Sequence, residues 1–196
     1  ASIGGSVYYA ATFFCEYFLS IKMSLKDTCI IELGAGTGLC GILLYHLQAK
    51  QVILTDKNVK LLNKNRKLQG QENEINKKIL IEYYNWSMPH EIPTNFPNEV
   101  DYIIGSDVVY DPTTPCSFLS AVYYLCKYKY KTKPPKVLVA HQPRLTGVDD
   151  LFFEKVRECN FSLKEIKPVN GNLVGKIFEL TYDPLLSGYR RRCKVM

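Results

Sequence analysis

The sequence predicts an α/β fold, doubly wound around a mostly parallel seven-stranded sheet with a reversed last strand at the edge. Three observations lead there. Short β-rich apolar runs alternate with helix-compatible stretches over most of the 196 residues. The first run passes directly into a glycine loop, Gly34-x-Gly36-x-Gly38, which opens a helix. The last two runs are separated only by Pro168 to Val174, too short for a crossover helix, so they read as an antiparallel pair at the sheet edge.

Each element has its own local signal. Val7 to Leu19 is apolar at Val7, Ala10, Ala11, Phe14 and Phe18, the spacing of a helix laid across the sheet. Cys29-Ile-Ile-Glu-Leu33 is the first strand, and Leu39 to Leu47 the helix after the glycine loop. Gln51 to Thr55 is the second strand; Lys57 to Gly70 is a polar helix with Val59, Leu61, Leu62 and Leu68 apolar, stopping on a glycine. Further strands fall at Ile79 to Tyr84, Val100 to Ser106, Lys136 to His141, Phe161 to Lys167 and Gly175 to Tyr182. Helices fit at Thr114 to Tyr128 and Gly147 to Cys159, while Asn85 to Asn98, with Pro89, Pro93 and Pro97, is irregular. One domain over residues 1–196 accommodates all of this. The chain opens on Ala1, so sequence upstream of it is unseen.

Composition narrows the function classes. The net charge of +6 is spread along the chain and is densest at Lys127 to Lys136 and Arg190 to Lys194, which suits nucleic acid or an acidic protein and selects neither. Seven cysteines with no CxxC pair argue against a disulfide framework and against a zinc site, so no metal is expected; Cys29 and Cys40 read as small core residues. Without a bilayer-length apolar run or a signal pattern, the expectation is a soluble, cytoplasmic protein with no membrane partner, the nucleus being the alternative. The sequence is silent on oligomeric state.

In an open parallel sheet, ligands sit beyond the carboxyl ends of the strands. The candidates there are Glu32 to Gly38, Asp56, Asn85, Trp86 and Ser106 to Tyr110. Asp56 closes the second strand, where a carboxylate can accept hydrogen bonds from both hydroxyls of a ribose; it can also cap a helix. Gly36-x-Gly38-x-x-Gly41 matches a dinucleotide fingerprint, but Glu32 stands two residues before the first glycine of the loop. A carboxylate there would repel a pyrophosphate and suit a cofactor with an ammonium or sulfonium, such as S-adenosyl-L-methionine. Its alternative role is that of a strand-end residue bonded to nearby backbone.

Together, Glu32-Leu-Gly-Ala-Gly-Thr-Gly38, Asp56 after the next strand, Asn85-Trp86 after the third and Asp107-Val-Val-Tyr110 after the fourth resemble the class I, seven-strand methyltransferases with their Rossmann-like fold. Within them the chain is similar to methyltransferase family 16, the protein lysine methyltransferases. The resemblance implies that Gly34, Ala35 and Gly36 line the methionine part of S-adenosyl-L-methionine, with Glu32, Thr37, Gly38 and Lys57 in the same cofactor set. It implies that Asp56 holds the ribose, that Trp86 flanks the adenine beside Asn85, and that Ser106 closes the cofactor pocket. The family carries Val-Trp-x-Ala before the first strand, and this chain has Val7-Tyr8-Tyr9-Ala10, so Tyr8 stands where tryptophan is usual and residues 1–20 flank the cofactor site. Asp107 and Tyr110 are the candidate catalytic pair facing the substrate, a protein lysine. The Asn/Asp-Pro-Pro-Tyr of enzymes acting on flat amide or base nitrogens is absent here, whereas a histidine or another nitrogen stays open as acceptor.

Two other classes compete. An NAD-dependent oxidoreductase would use the glycine fingerprint, with His46, His90 and His141 as the available imidazoles. A nucleic-acid-binding module would rest on Tyr128-Lys-Tyr-Lys-Thr-Lys133 and Arg190-Arg-Arg192, whose aromatic rings could stack bases between lysines; a solvated helix end is the favoured reading of that tract.

Overall fold

The computed structural model describes residues 5–21, 24–70, 72–143, 147–166 and 175–186. In chain order the elements are α1 (Tyr9–Ser20), β1 (Cys29–Leu33), α2 (Leu39–His46), β2 (Gln51–Thr55), α3 (Val59–Lys67), α4 (Glu72–Lys78), β3 (Ile79–Glu82), β4 (Tyr102–Ser106), α5 (Thr114–Tyr124), a π-helical turn (Leu125–Lys129), β5 (Lys136–His141), α6 (Val148–Glu158), β6 (Phe161–Ile166) and β7 (Lys176–Tyr182). The strands form one seven-stranded sheet in the order β3-β2-β1-β4-β5-β7-β6.

Strand alternation sorts the core into two layers. Ile30, Val52, Leu54, Ile104 and Leu138 point to one face, where they meet Phe14 and Phe18 of α1, Leu44 of α2 and Leu62 of α3. Ile31, Leu33, Ile53, Ile103, Val137 and Val139 point to the other, against Phe118 and Val122 of α5 and Phe152 of α6. Every residue of β1 is buried, as expected of a strand covered on both faces. The reversal at point β1–β4, where the chain turns from building the sheet one way to building it the other, leaves an open crevice at the carboxyl ends.

The expected architecture holds, and several boundaries move. Only β7 runs against the others: it is antiparallel to both β5 and β6, and lies between them, so β6 rather than the last strand forms the edge. The turn segment between them, Pro168 to Val174, lies outside the described residues, as does Arg190 to Lys194. Helix α4 was not anticipated, because its seven residues offer a single buried apolar side chain, Ile75, and no period can be read from one position. Helix α1 starts two residues later than the apolar pattern suggests, with Tyr8 extended at its amino end. Strand β3 ends at Glu82, and α5 passes into the π-helical turn instead of continuing to Tyr128.

The Lys/Tyr tract occupies that turn and the run leading to the amino end of β5, the opposite end of the sheet from the crevice. Tyr130 is buried, Lys127 donates to the Tyr123 hydroxyl at 2.5 Å and sits 4.9 Å and 5.2 Å from the ring centres of Tyr123 and Tyr128, and Lys133 pairs with Asp101 at 3.1 Å. These groups are engaged within the fold, which accords with the reading of a helix end.

Gly41 shows how closely α2 lies on the sheet. A Cβ there would stand 2.2 Å from Leu54 Cδ2, 2.8 Å from Glu32 Oε2 and 3.0 Å from Val52 Cγ1. The third glycine of the apparent dinucleotide fingerprint is therefore a packing residue. Gly41→Ala is expected to destabilise the protein by about 1–3 kcal/mol, the usual range for overpacking, despite alanine's better helix propensity. Urea denaturation measures this, and an unchanged midpoint would contradict the packing argument.

Candidate active site

The crevice holds a cavity of about 620 Å³. Its floor comes from the segments that leave β1, β2, β3 and β4. Gly34, Ala35, Gly36 and Thr37 follow β1, Asp56 and Lys57 follow β2, Asn85 and Trp86 follow β3, and Ser106, Asp107 and Tyr110 close β4. Tyr8, just before α1, and Ala11 within it form one wall. Every one of these lining residues was expected at the site except Ala11, which was not anticipated. Glu32 and Gly38, also expected there, do not line it.

Backbone hydrogen bonds set the shape of the floor. The first residues beyond each strand continue the ladder to the neighbour: Ala35 N–H donates to Thr55 O at 2.9 Å, Asp56 N–H to Glu82 O at 3.4 Å, and Asp107 N–H to Ala140 O at 2.9 Å. Asp56 then ties two loops together. Its Oδ2 accepts from Gly36 N–H at 2.9 Å and its Oδ1 from Asn58 N–H at 2.7 Å, the second bond leading into α3, where Asn58 caps Leu61 N–H at 3.2 Å. Each carboxylate oxygen keeps further acceptor capacity, so these bonds and a ribose contact are compatible.

Gly34 has φ of +69°, and a Cβ on it would lie 2.9 Å from the Trp86 ring and 3.3 Å from Val108. A glycine is required there because the backbone curls in left-handed fashion under an indole that rests edge-on against Phe118, 5.6 Å between centres at 71°. Trp86 thus serves both expected roles: it packs on the core and forms the pocket wall.

The placement of Glu32 corrects the electrostatic argument built on it. Alternation along β1 puts Glu32 on the same face as Ile30, beneath α2 and away from the cavity. Its Oε2 accepts from Gly41 N–H at 2.9 Å, and the side chain is buried. The carboxylate is the strand-end residue bonded to nearby backbone, and it fastens the start of α2. Gly38, at φ +82°, is the residue from which α2 begins and packs over Leu54 and Leu62.

On the β4 side, Asp107 is a buried aspartate with φ of +56°, a left-handed conformation that aspartate tolerates better than most side chains. The Tyr110 that follows is held through its own backbone. Thr114 Oγ1 accepts from Tyr110 N–H at 3.1 Å and Asp111 N–H at 3.3 Å, while Asp111 Oδ1 accepts from Thr113 N–H at 2.7 Å and Thr114 N–H at 3.0 Å. Asp111 and Thr114 also line the cavity; they belong to the segment Asp111 to Ser117, which the sequence offers as a substrate-choosing loop without singling out either residue. The signal was present, since Asp-Pro-Thr-Thr-Pro before a helix is an amino-terminal capping pattern. Burial, then the carboxylate of Asp111, raise the Tyr110 phenol above its ordinary value, so it stays neutral; bonds from Thr113 hold Asp111 below the usual carboxylate range.

The charged side chains lining the cavity are Asp56, Asp107 and Asp111 against one Lys57. In a chain of net charge +6, the crevice is locally acidic and favours a cationic occupant. The histidines contribute nothing to it. His141 is buried with Nε2 2.6 Å from Asp149 Oδ1, and neither it nor His46 nor His90 lines the cavity, which leaves the oxidoreductase reading without an imidazole there. Among the described residues, no helix is long and apolar enough to cross a membrane.

Sheet order, reversed β7 and crevice together define a class I, Rossmann-like methyltransferase fold. The crystal structure of magnesium protoporphyrin IX methyltransferase from Synechocystis PCC 6803, with bound SAH, superposes with a TM-score of 0.56 at 12% identity, covering 91% of this chain and 90% of that one. A family model described as lysine methyltransferase, number 16 of the methyltransferase series, matches residues 1–159. The chain belongs to this lysine methyltransferase family. It is 32% identical over 124 residues to EEF1A lysine methyltransferase 3 of Xenopus tropicalis, covering 63% of this chain and 53% of that protein. It is 29% identical over 189 residues to the protein-lysine N-methyltransferase EFM6 of Saccharomyces cerevisiae, covering 83% and 72%. The chain spans about half the length of several of the curated relatives it matches.

Burial pushes the Glu32 carboxyl up to about 8 against an ordinary 4.5, with the Gly41 N–H opposing the shift. The folded protein therefore holds this proton more tightly than the unfolded chain, so the group's contribution to stability is full below pH 4.5 and is lost as the pH rises through about 8. Glu32→Gln keeps an acceptor for Gly41 N–H and cannot ionise. Denaturant unfolding between those limits is expected to show a shallower loss of stability with pH in the variant; parallel curves would contradict the assignment.

Proposed function

We propose that the protein transfers a methyl group from S-adenosyl-L-methionine to the side-chain amine of a protein lysine. The observation that carries this reading is a single cavity with a glycine-lined, Asp56-anchored half and an acidic half formed by Asp107 and Asp111 beside Tyr110. Membership of the lysine methyltransferase family supports it.

The residues present fit the cofactor. A cavity of about 620 Å³ falls within the range of roughly 300–1,000 Å³ typical of sites for molecules of this size. Gly34, Ala35 and Gly36 would hold its methionine part, Asp56 the ribose hydroxyls, and Trp86 and Asn85 the adenine, with Ser106, Thr37, Lys57 and Tyr8 completing the surround. Once bound, the cofactor supplies an electrophilic methyl group on a sulfonium.

The chain's own contribution is to position the acceptor and exclude water. A lysine must be neutral to attack, and bringing it from a pKa near 10.4 to pH 7 costs roughly 4.6 kcal/mol. Tyr110 offers a partly buried neutral wall that disfavours the charged amine, whereas Asp107 attracts and orients the incoming ammonium before its proton leaves. The fixed backbone of Tyr110, tied through Thr114, holds the two in one arrangement.

Incubating the protein with labelled cofactor and a cell extract, then identifying the labelled protein and residue, tests the reading. Label on lysine is expected; label confined to histidine would replace the acceptor, and label on nucleic acid or small molecules alone would overturn the proposal. Asp107→Asn and Tyr110→Phe are expected to lower turnover by about tenfold or more, with cofactor affinity within about twofold of the parent. Asp56→Ala is expected to weaken cofactor binding by about tenfold or more, the loss of charge-assisted hydrogen bonds, as read by calorimetry. Full turnover in both Asp107→Asn and Tyr110→Phe would remove these residues from the mechanism.

A further inference from the structure

Beneath the wall formed by α1, two thiols face each other. Cys15 Sγ lies 3.9 Å from Cys40 Sγ, joining the middle of α1 to the first turn of α2 across 25 positions of sequence. Cys40 is buried, while Cys15 is partly exposed. Cys40 Sγ also stands 3.6 Å from Ala11 O and 3.8 Å from Ser106 Oγ. Its single S–H proton thus has both of these acceptors within reach, and Ala11 and Ser106 both line the cavity.

We propose that Cys15 and Cys40 form an oxidation site, closing to a disulfide that ties α1 to α2 and weakens cofactor binding. The consequence for the cofactor rests on the reading of the cavity given above; the cross-link itself does not. A disulfide needs an S–S distance of about 2.05 Å, so the two sulfurs must approach by less than about 2 Å. The contact between the two sulfurs holds the Cys15 thiol below its ordinary value, and the same contact together with burial raises Cys40, so Cys15 is the first of the pair to give up its proton. Reactive sensor thiols have this combination of exposure and thiolate character beside a resolving partner.

The oxidant is a low-molecular-weight disulfide. The Cys15 thiolate attacks one of its sulfurs, forming a mixed disulfide and releasing one thiol. Cys40, giving up its proton, then attacks Cys15 Sγ, forms the intramolecular bond and releases the second thiol. Two protein thiols are oxidised and one small disulfide is reduced to two thiols. Oxidised Cys40 has no S–H to offer Ala11 O or Ser106 Oγ, and α1, which carries Tyr8 and Ala11, is fixed against α2.

The test uses the whole protein treated with oxidised glutathione, followed by non-reducing peptide mapping and calorimetry with S-adenosyl-L-methionine. The expected result is a linked Cys15–Cys40 peptide, a higher unfolding temperature, and cofactor affinity weakened by about fivefold, the change that one hydrogen bond of ordinary net strength carries. Dithiothreitol is expected to restore it. Cys15→Ser abolishes the response and Cys116→Ser, at the other partly exposed cysteine among the described residues, retains it. Absence of the linked peptide overturns the proposal, and so does a linked protein with unchanged affinity. Failure of the reduced protein to bind the cofactor at all would instead overturn the reading of the cavity, and with it the path from oxidation to affinity.

Discussion

The cavity depends on one short contact, the Gly41 N–H on the Glu32 carboxyl group at 2.9 Å. Those two residues bracket the glycine loop, and their bond sets how far α2 can stand from β1. Because Gly41 has no side chain, the helix reaches the sheet closely enough for Leu54 and Val52 to pack against it. The intervening loop must then fold back within the space left, which it does with Gly34, Gly36 and Gly38 in left-handed conformation. The loop's second anchor, Gly36 N–H on Asp56, links it to the end of β2. A ligand cradle here is a consequence of helix and strand being held at this spacing.

The two halves of the site are built differently. On the β1 and β2 side, backbone amides and glycines do the shaping, and the one acidic member, Asp56, already holds two amides. On the β4 side, side chains dominate: Asp107 in a left-handed conformation, then Tyr110 fixed by the Asp111 and Thr114 capping pair at the start of α5. A backbone-shaped half suits recognition of one invariant small molecule. A half made of side chains on a loop can vary without disturbing the sheet, which is where the choice of acceptor is most readily made.

Much of this was legible in the sequence, because strands buried on both faces leave unbroken apolar runs and the glycine loop has few other uses. Twelve of the expected site positions lie on the cavity because strand ends place them there whatever the side chains do. Glu32 misled for the same reason that it could be noticed: its position before the glycines is visible, but the face to which its side chain turns depends on the alternation phase of β1. Helix α4 was hidden by having one buried apolar residue, Ile75, and the insertion of β7 between β5 and β6 was hidden because spacing along the chain does not specify which edge a strand joins. The capping role of Thr114 was readable and overlooked. The Cys15–Cys40 contact was not readable, since it arises only when α1 crosses α2.

The place of β7 bears on how the chain is made. The strand that fills the gap between β5 and β6 is the last of the seven to leave the ribosome, so until Tyr182 has emerged β5 presents an unpaired apolar edge and β6 has no neighbour in the sheet. Five strands and the whole cavity floor can assemble before that moment. A chain with β1 to β5 assembled and β7 not yet in place would carry the crevice beside an unpaired flank, and a ligand bound there would stabilise the assembled portion.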